Sequence, residues 1–445
     1  MNSDIDSAQS ESVPQRQRVA RIAILGVGLV CVLMIWVFRE PLRNRVVETA
    51  TLANESPTPD VVEEMIRQAA DPRAAILAAW NSAKIVHREV AIRQLHHVVL
   101  RGQPMPPELE AMLLAAALDS DTNVRESAFS TLRSRGHPAL TALAAAQLHD
   151  PDPEIRLLGL NYLKSAPAKF GVPTVMSLLD DSDIRIVATG LKWIEGWSGE
   201  RFGVKLADSV QIENEQTGLK EFREEGLAKT RAGAERAQAW WEKHRDEFGL
   251  VQLEVPPEAY SARQPVPAGD FQLRTLDGHK VRLSDFRGKI VLVNFWTTWC
   301  TACVSEMPEL IALQKKHTDK LVILGVSLDY VPDSHGHIGG HAAVEDQKHS
   351  DGDHDDHEAA AAALKRVRGE IARTVKARGI NYTILLDEKN EVGGRFNGGE
   401  LPTTVIVDAQ GWVRRRFIGA RSLPVFEAMI AEASQPLRSM PSRPR

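Results

Sequence analysis

Asn294-Phe295-Trp296-Thr297-Thr298-Trp299-Cys300-Thr301-Ala302-Cys303-Val304-Ser305-Glu306-Met307-Pro308 is the stretch that decides the fold. Ile290 to Phe295 is a short apolar run, long enough for a buried strand, and the residues after Trp299 suit the first turns of a helix. Cys300 and Cys303 therefore sit where a strand hands over to a helix. A thiol at a helix N-terminus faces the positive end of the dipole and unpaired backbone N–H groups. Both favour the thiolate, which is the nucleophile. Cys300, nearer the solvent end, is the attacking thiol, and Cys303, one turn inside, resolves the mixed disulfide. The alternatives are a structural pair or half of a zinc site. Zinc asks for four ligands, and no second Cys-x-x-Cys stands in the chain to complete a set; the one His-x-x-x-His, His337 to His341, lies in the insertion.

The segment from Phe295 to Cys303 resembles the thioredoxin active site. Glu306, followed by Met307-Pro308, resembles the TlpA/ResA branch, whose members are membrane-anchored thiol–disulfide oxidoreductases working outside the cytoplasm. Leu401-Pro402-Thr403-Thr404-Val405-Ile406-Val407-Asp408 is similar to the cis-proline loop and following strand of that family. The resemblance covers about residues 268–433. It implies that Pro402 is cis and that Leu401 and Trp299 flank the client beside Cys300. Thioredoxin has a buried acid where this chain has Asn294, and Asn cannot carry a proton. The TlpA/ResA branch places its acid at Glu306, where a buried carboxyl with a raised pKa would exchange protons with the resolving thiol. The plainer reading of Glu306 is an exposed first-turn acid favoured by the helix dipole. Ala302 stands where many relatives carry proline, so reductant and oxidant both stay open.

Outward from this segment, the chain has 445 residues, 43% hydrophobic and 25% charged, which suits two or three globular domains. A net charge of −5 gives no reason to expect a nucleic-acid partner. Cys31, Cys300 and Cys303 are the only cysteines, so no disulfide framework holds the fold.

Residues 1–18 read as a polar cytoplasmic tail and 19–38 as a transmembrane anchor, uncharged and apolar from Ile22 to Phe38. A signal peptide is the rival, but Trp36-Val37-Phe38-Arg39-Glu40-Pro41 is a poor cleavage site. Arginines flank both sides, so the family resemblance, and not charge, implies a periplasmic location for everything beyond Phe38.

A linker at 39–60 leads to an alanine- and leucine-rich region, 61–204. There Asp121-Thr122-Asn123-Val124-Arg125 recurs as Asp152-Pro153-Glu154-Ile155-Arg156 and as Asp181-Ser182-Asp183-Ile184-Arg185. His87-Arg88 marks a degenerate earlier copy. A period near 30 with two helices per unit resembles HEAT-type repeats, the rival being a non-repeating bundle. Each Asp is placed to cap a helix, and Val124, Ala128 and Leu132 face the neighbouring unit. The repeats would build an all-α solenoid; residues 205–250 read as charged helices with Trp240 and Trp241 sealing its end, and 251–268 as a stiff proline-rich linker.

The thioredoxin-like α/β domain then runs over 269–435, followed by a tail, 436–445. Its pattern predicts a hairpin at Leu276-Asp277-Gly278-His279, strands at Leu321–Leu328 and 382–386, and a hairpin from Thr403 to Ile418. Helices are predicted at 359–378 and 422–433. An insertion, 330–358, carries His335, His337, His341, His349, His354 and His357 among many acids. It reads either as a solvated loop or as a weak zinc or copper site on the cysteine edge.

The function expected is exchange of disulfides with a client protein, supported by an upstream electron-donor or acceptor protein and no cofactor beyond the dithiol. The helical repeats would recruit a partner, leaving the domain from about residue 268 active on its own. A copper-handling thioredoxin fold is the alternative, though such carriers usually space their cysteines one residue further apart. A peroxidase ranks last, because no threonine-then-cysteine peroxidatic loop is present.

Overall fold

Every residue of Ile290–Trp296 is buried, as in a strand covered on both faces. Side chains alternate across it: Val291, Val293 and Phe295 enter one apolar cluster, Ile290 and Leu292 another. The computed structural model describes residues 59–82, 84–98, 104–205, 211–213, 220–222, 224–248, 253–261, 265–330 and 355–436. Their strands are β1 (Gln211–Glu213), β2 (Lys220–Phe222), β3 (Val266–Pro267), β4 (Gln272–Thr275), β5 (Lys280–Arg282), β6 (Ile290–Trp296), β7 (Leu321–Ser327), β8 (Thr383–Leu386), β9 (Thr403–Val407) and β10 (Trp412–Ile418). All but β1 and β2 form one sheet, ordered β3-β10-β9-β6-β7-β8-β4-β5. β6 runs parallel to β7 and antiparallel to β9, so Cys300 leaves the central strand at its carboxyl end. The thioredoxin-like layering is completed by helices Thr301–Lys316, Asp355–Arg378 and Leu423–Ala433.

The expected membrane anchor at 19–38 lies outside the described residues, as do residues 331–354 of the insertion. Among the described residues, no helix is long and apolar enough to cross a membrane.

From Pro59 to Ser198 the described chain is helical. Val124, Ala128 and Leu132 are fully buried, as their spacing requires. Asp121, Asp152 and Asp183 cap the helices Thr122–Arg135, Pro153–Leu163 and Ile184–Ser198 through side-chain bonds to backbone N–H groups. This corrects the repeat register: Asp183, not Asp181, is the equivalent of Asp121 and Asp152, and both steps become 31 residues (121 to 152 to 183). Asp119, Asp150 and Asp181 each accept the backbone N–H of the cap two residues on, at 2.9, 2.9 and 2.8 Å. Each also pairs with an arginine from the preceding unit: Arg88–Asp119 at 2.9 Å, Arg125–Asp150 at 2.9 Å and Arg156–Asp181 at 2.7 Å. Arg88 thus fills the expected place in a unit that lacks the cap aspartate.

The stretch 205–250 is not wholly helical. β1 and β2 pair antiparallel ahead of the helix Glu224–His244. Trp240 and Trp241 pack against the helical core, and Trp240 meets Phe202 edge-on at 6.1 Å. The stretch 251–268 is not a free linker either. It contains the helix Pro257–Ser261, whose Ala259 is fully buried in the helical core, and β3, which pairs with β10.

The two halves meet along β10. Its start pairs with β3, and further on Arg416 bridges to Asp121, its N–H donating to Ser120 O at 2.9 Å. The Thr122 hydroxyl donates to Arg416 O at 2.8 Å. The helical region thereby covers backbone groups that an edge strand would leave open to another chain. Three arginines fix the seam: Arg416 to Asp121 at 2.7 Å, Arg415 to Asp150 at 2.9 Å and Arg421 to Asp152 at 2.9 Å. Arg416 and Asp121 side chains are both 0% exposed. Ile85, from a helix of the first half, sits in a core cluster of the sheet. The separation expected near residue 268 is therefore replaced by one continuous unit from Pro59 onward.

Candidate active site

The cysteines sit at the junction predicted for them. Cys300 is the N-cap of the helix Thr301–Lys316, and its Sγ accepts the Cys303 N–H at 3.1 Å. The two are joined as a disulfide. Such an N–H stabilises charge on Cys300 sulfur once the bond is reduced. Trp299, immediately before, is 44% exposed and projects an apolar surface beside the disulfide. The Leu401–Pro402 peptide is cis, and Leu401 packs against the cluster that holds both cysteines.

Glu306 lies one turn beyond Cys303, on the same helix face. It is buried rather than an exposed first-turn acid. Asn294 Nδ2 donates to its Oε2 at 3.1 Å, and Arg421 backbone N–H donates to its Oε1 at 2.7 Å. Burial pushes its pKa up to about 7, against the partial opposition of these two donors and the Arg421 charge. The acid is thus poised to take or give a proton near neutrality. Asn294 also donates to Thr404 Oγ1 at 3.1 Å, tying the strand before the cysteines to the strand after Pro402.

Two groups escaped the sequence reading. Asp329 follows β7, and its Oδ1 accepts the backbone N–H of Thr298 at 2.9 Å and the Thr298 hydroxyl at 2.6 Å. It fixes the turn that presents Trp299 and Cys300, and burial raises its pKa. The available signal was an acid directly after an apolar strand parallel to the cysteine strand. The second is Arg421, for which no local pattern exists.

The Thr298–Asp329 contact also puts the start of the histidine-rich insertion on the cysteine edge. His335, His337, His341, His349 and His354 lie outside the described residues, and His357 falls on the helix Asp355–Arg378. Among the described residues, no group of three or more His, Cys, Asp or Glu side chains is arranged to hold a metal.

A separate cleft of about 570 Å³ opens where Glu89, Arg93, Asn123 and Glu126 of the helical region face Glu400, two residues before Pro402. Neither cysteine lines it.

Residues 264–416 match a family model described as the AhpC/TSA family. The chain is 30% identical over 152 residues to thioredoxin-like protein YneN of Bacillus subtilis (strain 168), covering 34% of this chain and 69% of that protein. It is 30% identical over 155 residues to thiol-disulfide oxidoreductase ResA of Geobacillus kaustophilus (strain HTA426), covering 34% and 67%. Among solved structures, StoA from Bacillus subtilis aligns with 38% of this chain and 98% of its own, at 17% identity and a TM-score of 0.27.

Proposed function

From the premise that this chain belongs, through its C-terminal domain, to the thioredoxin-like thiol–disulfide oxidoreductases, we propose that it exchanges disulfides with a client protein outside the cytoplasm, anchored by residues 19–38. The observation that carries the chemistry is the Cys300–Cys303 pair at a helix N-terminus with buried Glu306 one turn on. In the reducing direction, the Cys300 thiolate attacks a client sulfur. The client disulfide breaks, one client thiolate leaves, and a mixed disulfide forms. Glu306 in its carboxylate form accepts the Cys303 proton. Cys303 sulfur then attacks Cys300 Sγ and releases the second client thiolate. The client gains two electrons, the dithiol becomes a disulfide, and a dithiol donor protein restores it. The oxidising direction is the same path reversed, chosen by the potentials of the two partners.

The helical region is read as HEAT-type repeats that recruit the partner. The equal spacing of the three cap aspartates and the arginine–aspartate ladder support the repeat. The polar cleft beside Glu400 supports recruitment, because a client held there lies next to the segment leading into Pro402. An insulin-reduction assay tests the core of the proposal. Cys300→Ser is expected to abolish turnover and Cys303→Ser to accumulate mixed disulfides. Full activity in Cys300→Ser would sink the mechanism. A reporter fused after residue 445 tests the location, and activity confined to the cytoplasm would refute it.

A further inference from the structure

Glu306 is held in place by two hydrogen bonds. One of its two hydrogen bonds comes from the backbone of residue 421, in the loop between β10 and the helix Leu423–Ala433. Three contacts fix that loop. Gly419, at φ 89°, donates its N–H to Pro402 O at 2.8 Å. The Arg421 guanidinium folds back on its own loop, Nη1 donating to the carbonyls of Ile418, Gly419 and Ala420 at 3.2, 3.1 and 3.2 Å. Its remaining edge makes a two-point fork to Asp152, Nε to Oδ1 at 2.9 Å and Nη2 to Oδ2 at 3.1 Å. Asp152 belongs to the helical region, where it also caps Pro153–Leu163. It is 1% exposed and Arg421 is 9% exposed, so this is a buried, paired fork and not a surface contact.

We propose that Asp152 is a positioning residue for the redox site: by gripping Arg421 it holds the 418–421 loop so that the Arg421 N–H stays on Glu306, and the helical region thereby sets the proton affinity of the catalytic acid. This rests on the reading of Glu306 as that acid. The charged and titratable groups facing Glu306 are Arg421 from the loop, Glu309 from its own helix and Tyr382 ahead of β8, joined by the Cys303 thiol after reduction. Asp152 reaches it through Arg421.

Two effects of removing the Asp152 charge have opposite signs, which makes the proposal testable. If Asp152 positions the loop, Asp152→Asn loosens the Arg421 N–H and Glu306 holds its proton more tightly. If Asp152 only shields Arg421, the same change leaves an unopposed guanidinium near Glu306 and its proton leaves more easily. Asn still caps a helix, so the local fold of Pro153–Leu163 survives.

The experiment follows the carboxylic-acid carbonyl band of Glu306 in the full chain by infrared difference spectroscopy against pH, assigned by its loss in Glu306→Gln. The expected result for Asp152→Asn is a midpoint higher by about one pH unit, the scale of one charge-assisted hydrogen bond. Arg421→Lys, which keeps the backbone N–H and the charge but cannot make the fork, is expected to shift it the same way. It serves if Asp152→Asn does not fold. Asp121→Asn, at the same seam but without a route to Glu306, is expected to leave the midpoint in place. A lowered or unchanged midpoint in both fork variants, or an equal rise in Asp121→Asn, overturns the proposal. Glu306→Gln turnover is measured separately. If it stays at the wild-type rate, the acid reading fails; if it falls while the fork variants keep the midpoint, only the positioning role fails.

Discussion

Asp150, a half-buried carboxylate in the helical region, and Glu306, a buried one beside the cysteines, end on opposite sides of their ordinary pKa. Burial pushes each upward. At Asp150 the guanidinium groups of Arg125 and Arg415 outweigh burial and hold the carboxyl below its usual range. At Glu306 the nearest partners are an Asn amide and a backbone N–H, so burial wins and the value reaches about 7. What sends the two carboxyls in opposite directions is the charge of their donors: two guanidinium groups at Asp150, neutral N–H groups at Glu306.

The sharpest way to break this comparison is to remove each acid. Glu306→Gln is expected to slow disulfide exchange at neutral pH on the order of 10²-fold, while Asp150→Ala leaves the rate per folded molecule unchanged. A rate loss in Asp150→Ala with native structure intact would contradict the division of roles.

Stability should separate them next, with opposite signs. Asp150→Ala removes the carboxylate shared by Arg125 and Arg415, leaving Arg415 with Glu432 and Arg125 with Gln147, and is expected to cost about 2 kcal/mol in denaturant unfolding at neutral pH. Because Asp150 has a depressed folded pKa, its contribution is present above the unfolded value and lost as pH falls through the folded one. Glu306 has a raised folded pKa, so its contribution is complete below the unfolded value of 4.5 and declines until pH reaches about 7. Glu306→Gln should flatten that decline and gain roughly 2–3 kcal/mol above neutrality. A steeper decline in Glu306→Gln would mean the carboxyl is not held protonated by burial.

The smallest stability effect belongs to Trp299→Ala, at an exposed side chain outside both networks. It is expected to change stability by about 0.5 kcal/mol or less and to raise the KM for a protein disulfide more than for a small one. Equal effects on both substrates would remove Trp299 from client binding.

The sheet was legible in sequence wherever it is locally encoded. β6 and β7 are apolar runs, Ala409-Gln410-Gly411 marks the β9–β10 turn, and the cysteines mark the strand-to-helix junction. β3 was not legible, because two residues carry no period, and neither was the β1–β2 hairpin inside a charged stretch. The repeat was visible but mis-set by two residues, since Asp181 and Asp183 both precede the helix and only the capping bond tells them apart. At the site, Asn294 and Glu306 were each singled out, but their hydrogen bond spans a strand-to-helix packing that spacing cannot show. Arg416 and Arg421 were invisible for a stronger reason. Their partners lie 295 and 269 residues earlier in the chain.

Those two pairs carry a geometric consequence. Asp121 and Asp152 each cap a helix, and they grip arginines only five positions apart, Arg416 on β10 and Arg421 in the loop that follows it. The C-terminal domain therefore works as a gauge for the distance between these two helix caps. The unit between Asp121 and Asp152 cannot be shortened, because one of the two grips would slip out of register with its arginine.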